Sequence, residues 1–279
     1  MKCMIPMPAH FEHSVTAINE RRGPMKQIRA VGFDLFNTLI TVEPQALDEA
    51  VTRLTAHLRQ SGLTVEHEAF TRDHRRAALQ FVEATRRDGR ETHNRFWISA
   101  ALAQQGFDVA PTDSRIAGAV EAYFSAFLDL CHLIPGTREM LENLRERYRL
   151  GLLSNFTHGP AARSIMELLG LTAFFEVLLI SGEVGYRKPH PLVFNRLAQE
   201  LGARAGETLY IGDDPLADID GAGKAGLRPV WMTYVRDRNL PLAPGMAPGQ
   251  AESPDGQALR ISSWQELHVL LDGAPKGEM

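Results

Sequence analysis

The sequence predicts an α/β protein, a parallel-sheet core interrupted by an inserted helical bundle. Three observations lead there. Gln27–Asp34 (QIRAVGFD) has the apolar run of a buried strand. Residues 45–130 then carry helical period with few strand signals. Beyond Pro135–Gly136, helix and strand alternate, as in a parallel sheet covered by helices.

The elements follow in order. Residues 1–26 lack a clear period and read as a tail. After the first strand, Asn37–Thr38 reads as a turn. Leu47, Val51, Leu54 and Leu58 share one helical face. Phe70, Ala77, Phe81 and Ala84 mark a second helix, and Phe96, Ile98, Leu102 and Ala103 a third. Ile116, Val120, Tyr123, Phe127 and Leu130 mark a fourth. Ser61–Gly62, Asp88–Gly89 and Gly106–Pro111 separate them. Helix 137–148 precedes strand Leu150–Ser154, and helix 160–169 precedes strand Phe175–Ser181. Helix 191–201 precedes strand Thr208–Gly212, and helix 216–225 precedes strand Arg228–Met232. Asn239–Gln257 is a Pro- and Gly-rich loop, before a short strand Leu259–Ile261 and a helix Trp264–Leu271. The expected division is a tail (1–26), a Rossmann-like core (27–40 and 134–279) and a helical cap (41–133).

Composition narrows the function. A chain of 279 residues with 44% hydrophobic residues can build a substantial core. A net charge of −4 disfavours binding nucleic acid by bulk charge. No apolar run approaches the roughly 18–20 residues that span a bilayer, and Met1–Ala9 does not read as a secretory signal, so a cytoplasmic location is expected. Cys3 and Cys131 form neither a disulfide framework nor a zinc cluster. Only five Lys occur, Lys2, Lys26, Lys188, Lys224 and Lys276.

In a doubly wound sheet, ligands sit beyond the carboxyl ends of the strands. The expected strand ends carry Asp34, then Ser154–Asn155, then the loop Arg187–Lys188–Pro189, and finally Asp213, Asp214 and Asp218. This combination suits phosphoryl transfer. A carboxylate nucleophile meeting an anionic substrate needs a divalent cation, further carboxylates hold Mg²⁺, and hydroxyl and ammonium donors balance the transferring oxygens.

Four ordered stretches, FDLFNTL (Phe33–Leu39), LLSN (Leu152–Asn155), RKP (Arg187–Pro189) and IGDDPLADIDGA (Ile211–Ala222), resemble the motifs of the haloacid dehalogenase (HAD) superfamily with a C1-type helical cap. The resemblance covers about 27–232. It implies Asp34 as nucleophile, Ser154 as phosphate binder and Lys188 as charge stabiliser, with Asn155, Asn37 and Thr38 on the substrate. It further implies Mg²⁺ held by Asp34, the Phe36 backbone carbonyl, Asp213 and Asp218, and a small phosphorylated substrate beneath the cap. No nucleic-acid or membrane partner is expected, and the chain is a monomer or homodimer.

One position departs from the pattern. Family phosphatases carry a second Asp two residues after the nucleophile as general acid and base, and Phe36 stands there. An altered phosphohydrolase remains the leading expectation, with Glu43 or His158 as replacement acids. A 2-haloacid dehalogenase is the rival, since halide needs no acid and an aromatic residue is usual at that position. Those enzymes, however, use Ser and Asn where this chain has Asp213 and Pro215, and a Tyr where it has Phe194. A phosphonatase needs a cap Lys for a Schiff base, and residues 41–135 contain none. A non-catalytic binding module would form no phosphoenzyme.

Other features have plainer readings. Gly221–Gly226 (GAGKAG) matches G-x-G-x-x-G, yet it falls late in a helix rather than directly after a strand, so close packing is expected. His57, His67, His74 and His93 lack metal-ligand spacing, and Arg72, Arg75, Arg76, Arg86, Arg87 and Arg90 read as a solvated face. Phe96 and Trp97 are expected in the cap core.

Overall fold

The computed structural model describes residues 27–242 and 258–272. The expected tail 1–26, Cys3 and residues 243–257 of the expected loop lie outside them.

β1 (Ala30–Phe33) lies inside a six-stranded parallel sheet. On one side follow β4 (Arg149–Ser154) and β5 (Val177–Ile180). On the other follow β6 (Thr208–Gly212), β7 (Arg228–Met232) and β8 (Leu259–Ile261). In register, Phe33 faces Leu152 of β4 and Ile211 of β6. The chain winds outward through β4 and β5, then crosses back to β6, so the strand order reverses at β1. That reversal opens a crevice at the carboxyl ends of β1, β4 and β6.

Alternation along the strands assigns the two faces. Val31, Phe33, Leu152 and Ile211 join one apolar cluster with α5 (Thr137–Arg145), α6 (Gly159–Leu168) and α11 (Trp264–Asp272). Ala30, Leu153 and Tyr210 join another with α8 (Pro191–Glu200). Phe194 of α8 is fully buried against the Tyr210 ring, 5.1 Å between centroids. Its truncation to Ala would cost about 3–5 kcal/mol.

The insertion is four helices: α1 (Ala46–Gln60), α2 (His67–Thr85), α3 (Asn94–Gln104) and α4 (Ser114–Leu130). α1 packs on α4 and α2 on α3. Glu66 and Asp113 cap α2 and α4 by accepting from backbone N–H groups of their first turns. The buried stripe of α1 begins at Ala46 rather than Leu47, which is 45% exposed. On α3, Asn94, Trp97, Ile98 and Ala101 face inward, and Phe96 stands on the outer side against Phe81. A two-stranded antiparallel ribbon, β2 (Ile40–Val42) with β3 (Cys131–Leu133), joins this bundle to the sheet. The expected boundary at 40/41 runs through β2, and that at 133/134 falls at the end of β3.

Two short helices carry no periodic signal. α7 (Ser181–Val184) follows β5, and α10 (Tyr234–Asp237) follows β7. The expected helix 216–225 is a wide π-helical stretch, Pro215–Asp220, running into α9 (Gly221–Lys224). Among the described residues no helix is long and apolar enough to cross a membrane.

Candidate active site

Asp34 directly follows β1, and its backbone N–H donates to Ile211 O of β6 at 2.9 Å. That bond carries the strand pairing one residue further and brings the carboxylate to the crevice. Lys188 Nζ donates to Asp34 Oδ1 at 2.6 Å and to Tyr210 Oη at 3.0 Å, and lies 2.7 Å from Asp218 Oδ1. Tyr210 Oη in turn donates to Leu153 O at 2.9 Å. Asn155, expected on the substrate, has its amide committed elsewhere. Its Oδ1 accepts from Lys188 N at 2.8 Å and its Nδ2 donates to Lys188 O at 3.0 Å. It therefore fixes the main chain from which the lysine projects.

The acidic residues converge on the same point. Asp34, Asp213 and Asp218 are all buried and offer oxygens within 4.8 Å of one another. Trp231 Nε1 donates to the Asp213 carbonyl at 2.9 Å, holding the loop after β6. Asp218 Oδ2 accepts from Asp214 N at 2.9 Å, while Asp214 caps the following turn through Leu216 N and Ala217 N. Gly212 makes this packing possible, because a Cβ there would lie 2.3 Å from Asp218 Cγ.

Three buried carboxylates thus gather beside one ammonium, which pairs with two of them. Burial raises the pKa of Asp34, which Lys188 opposes. Burial and the neighbouring carboxylates push Asp213 well above the usual range, and Asp218 rises to about 7, burial outweighing Lys188. Burial alone would lower Lys188, but Asp218 and Asp34 together hold it well above its ordinary value. Asp213 Oδ2 is buried with no hydrogen-bond partner. Buried oxygens of this kind are normally satisfied, and a divalent cation would satisfy this one and neutralise the excess charge. The residues present therefore fit a hard metal ion.

The other expected site residues lie around this centre. Asn37 adopts the left-handed conformation, φ 57°, and is buried in the turn after Asp34. Thr38 is buried there too, its hydroxyl without a partner. Ser154 ends β4 beside β1 and is 2% exposed.

Phe36 faces the cap. Its ring stacks on Phe156, 5.3 Å and 7° between planes, and meets Phe127 of α4 edge-on at 6.4 Å. Each of the two replacement acids has partners of its own. Glu43 is half exposed and faces His132. His158 is buried, with Nδ1 3.1 Å from His93 Nε2 and Nε2 2.9 Å from Glu121 Oε1. Its ring stacks on Phe124, so it bridges core and cap instead.

Sequence reading missed several of these groups. Tyr210 reads as an ordinary apolar strand residue, and only its hydroxyl in an otherwise apolar strand hints at more. Glu91 carries no motif, yet it accepts from Ser181 Oγ at 2.5 Å and from Arg187 Nη1 at 3.2 Å, tying the cap loop to the lysine loop. Gly221, within the glycine-rich stretch, packs against Phe194 and Pro189, where a Cβ would lie 2.8 and 2.9 Å away. His67 bonds Thr55, and the expected Arg face is exposed.

Several known proteins are similar to this chain. A ribulose-1,5-bisphosphate 5-phosphatase from Halopiger xanaduensis is 32% identical over 212 residues, 72% of this chain and 83% of that protein. A glyceraldehyde 3-phosphate phosphatase from Pyrococcus abyssi is 28% identical over 210 residues, 74% of this chain and 82% of that protein. The structure of a 2-haloacid dehalogenase from Pseudomonas syringae pv. Tomato DC3000 superposes with a TM-score of 0.63 at 24% identity, covering 88% of this chain and 98% of that one, a likeness of fold. The family model for haloacid dehalogenase-like hydrolases matches residues 28–226. With most of its length matched, and the motif side chains gathered at one crevice, the chain belongs to the haloacid dehalogenase-like hydrolases.

Proposed function

We propose that this hydrolase is a Mg²⁺-dependent phosphohydrolase that passes a small substrate's phosphoryl group through Asp34. The observation that carries this is the excess of buried carboxylate over ammonium, with Asp213 Oδ2 left unpartnered. Asp34, Asp213, Asp218 and the Phe36 carbonyl would hold the ion. Bound there, it would screen the phosphoryl oxygens from the attacking carboxylate.

The chain's own groups do the rest. Lys188 opposes the rise that burial gives the Asp34 pKa and orients the carboxylate for in-line attack. Ser154 supplies a hydroxyl to a phosphoryl oxygen. Water then opens the acyl phosphate and regenerates Asp34. The cap shields the crevice from bulk solvent. The phosphatases among the relatives support the same class of reaction.

Phe36 favours a second reading, a metal-free 2-haloacid dehalogenase. Against it, Asp213 and Asp218 beside Asp34 would repel a haloacid carboxylate. A paired assay separates the two. Phosphate release from p-nitrophenyl phosphate that EDTA abolishes and Mg²⁺ restores is expected. EDTA-insensitive chloride release from L-2-chloropropionate would overturn it.

A further inference from the structure

We infer that the site acts on phosphoryl groups whose leaving oxygen departs as a stabilised anion, namely aryl, enol or acyl phosphates. This rests on the phosphohydrolase reading and names the substrate class of the same site.

Lys188 anchors the Asp34 carboxylate from the core side. In-line displacement puts the leaving oxygen opposite the attacking one, hence toward the cap. The surface met there is aromatic. The Phe36 ring lies between Phe156 and Phe127, Phe127 is 5.7 Å from the Tyr123 ring, and Tyr123 is 5.8 Å from His74.

A general acid needs a proton it can release near the working pH. Burial raises the Tyr123 hydroxyl far above that range, and burial lowers His74 to about 4, so its imidazole is neutral. His158 has both ring nitrogens engaged by His93 and Glu121, and Glu43 faces His132. No described group on this wall is placed to protonate a departing alkoxide.

The step balances without one. Asp34 forms an O–P bond, the P–O bond to the leaving group breaks, and its electron pair leaves as RO⁻. Water then attacks phosphorus, the Asp34–P bond breaks, and both water protons depart with the phosphate as H₂PO₄⁻. An aromatic wall also gives a planar leaving group ring faces to stack on.

Phenyl phosphate and benzyl phosphate test this, since both carry one ring but release a phenoxide and an alkoxide respectively. With the intact protein and Mg²⁺, kcat/KM for phenyl phosphate is expected to exceed that for benzyl phosphate by about 10²–10⁴-fold, the usual contribution of a general acid. Phe36→Asp should narrow the ratio, while Phe36→Leu, which adds no proton, should keep it. Ratios within about tenfold in the unmodified protein would overturn the inference yet leave the phosphohydrolase standing. Turnover of neither ester, with no phosphoenzyme trapped from acetyl phosphate, would overturn both.

Discussion

The mouth of the sheet and the underside of the cap handle buried polarity in opposite ways. Around Lys188, charges are concentrated and paired, with Asp34, Asp218 and Tyr210 all within 3.0 Å of one ammonium. Toward the cap, Phe36, Phe127, Tyr123 and His74 form a chain of rings, and His74 Nε2 has no hydrogen-bond partner. In the proposed reaction the core carries the electrostatics of phosphoryl transfer, which depend on charge at fixed distances. In the same proposal the cap acts by shape and apolarity. Changes in the first region should act on chemistry and charge balance, and changes in the second on burial and substrate fit.

The sharpest break is at Asp34. Asp34→Asn removes the proposed nucleophile but keeps its volume, so turnover should fall by at least about 10⁴-fold with an unchanged circular dichroism spectrum. Retained turnover would take Asp34 out of its role.

Lys188→Met should follow in size. It leaves Asp34 and Asp218 buried without their ammonium, a loss of about 3–5 kcal/mol in metal-free protein, read from urea denaturation. Mg²⁺ should restore part of it. An unshifted midpoint would show that the pair carries little of the fold.

In the cap, the measurement is pH. Burial holds His74 neutral down to about 4, against an ordinary value of 6.5. The unfolded chain therefore binds the proton first. Stability is full above pH 6.5 and declines by about 3 kcal/mol as pH falls toward 4. His74→Leu should remove that decline, leaving the separate, more solvent-screened one of His93, which burial and His158 also lower to about 4. A slope identical in the variant would mean the imidazole is not sealed in.

The seam between the two regions should respond least. Glu91→Ala orphans Arg187 and Ser181 and should cost about 1–3 kcal/mol, with KM rising more than kcat falls. A pure kcat effect would place Glu91 in the chemistry rather than in cap docking.

The sequence by itself determined the order of the parts. Alternating apolar strands and helices dictate a parallel sheet, and Asp34, Ser154, Lys188 and Asp213 at strand ends already predict where the chemistry gathers, because crossover connections bring those ends together. Residue type and short-range period suffice for that. Tertiary structure alone decided the rest. Asn155 clamps Lys188, Tyr210 joins the ammonium through a hydroxyl that reads as core, and His158 bridges to the cap instead of acting as an acid. The expected helix after β6 opens as the wide π-helical stretch Pro215–Asp220, which brings Asp218 to Lys188. Each of these depends on contacts between residues dozens of positions apart, or on backbone geometry that no local period encodes.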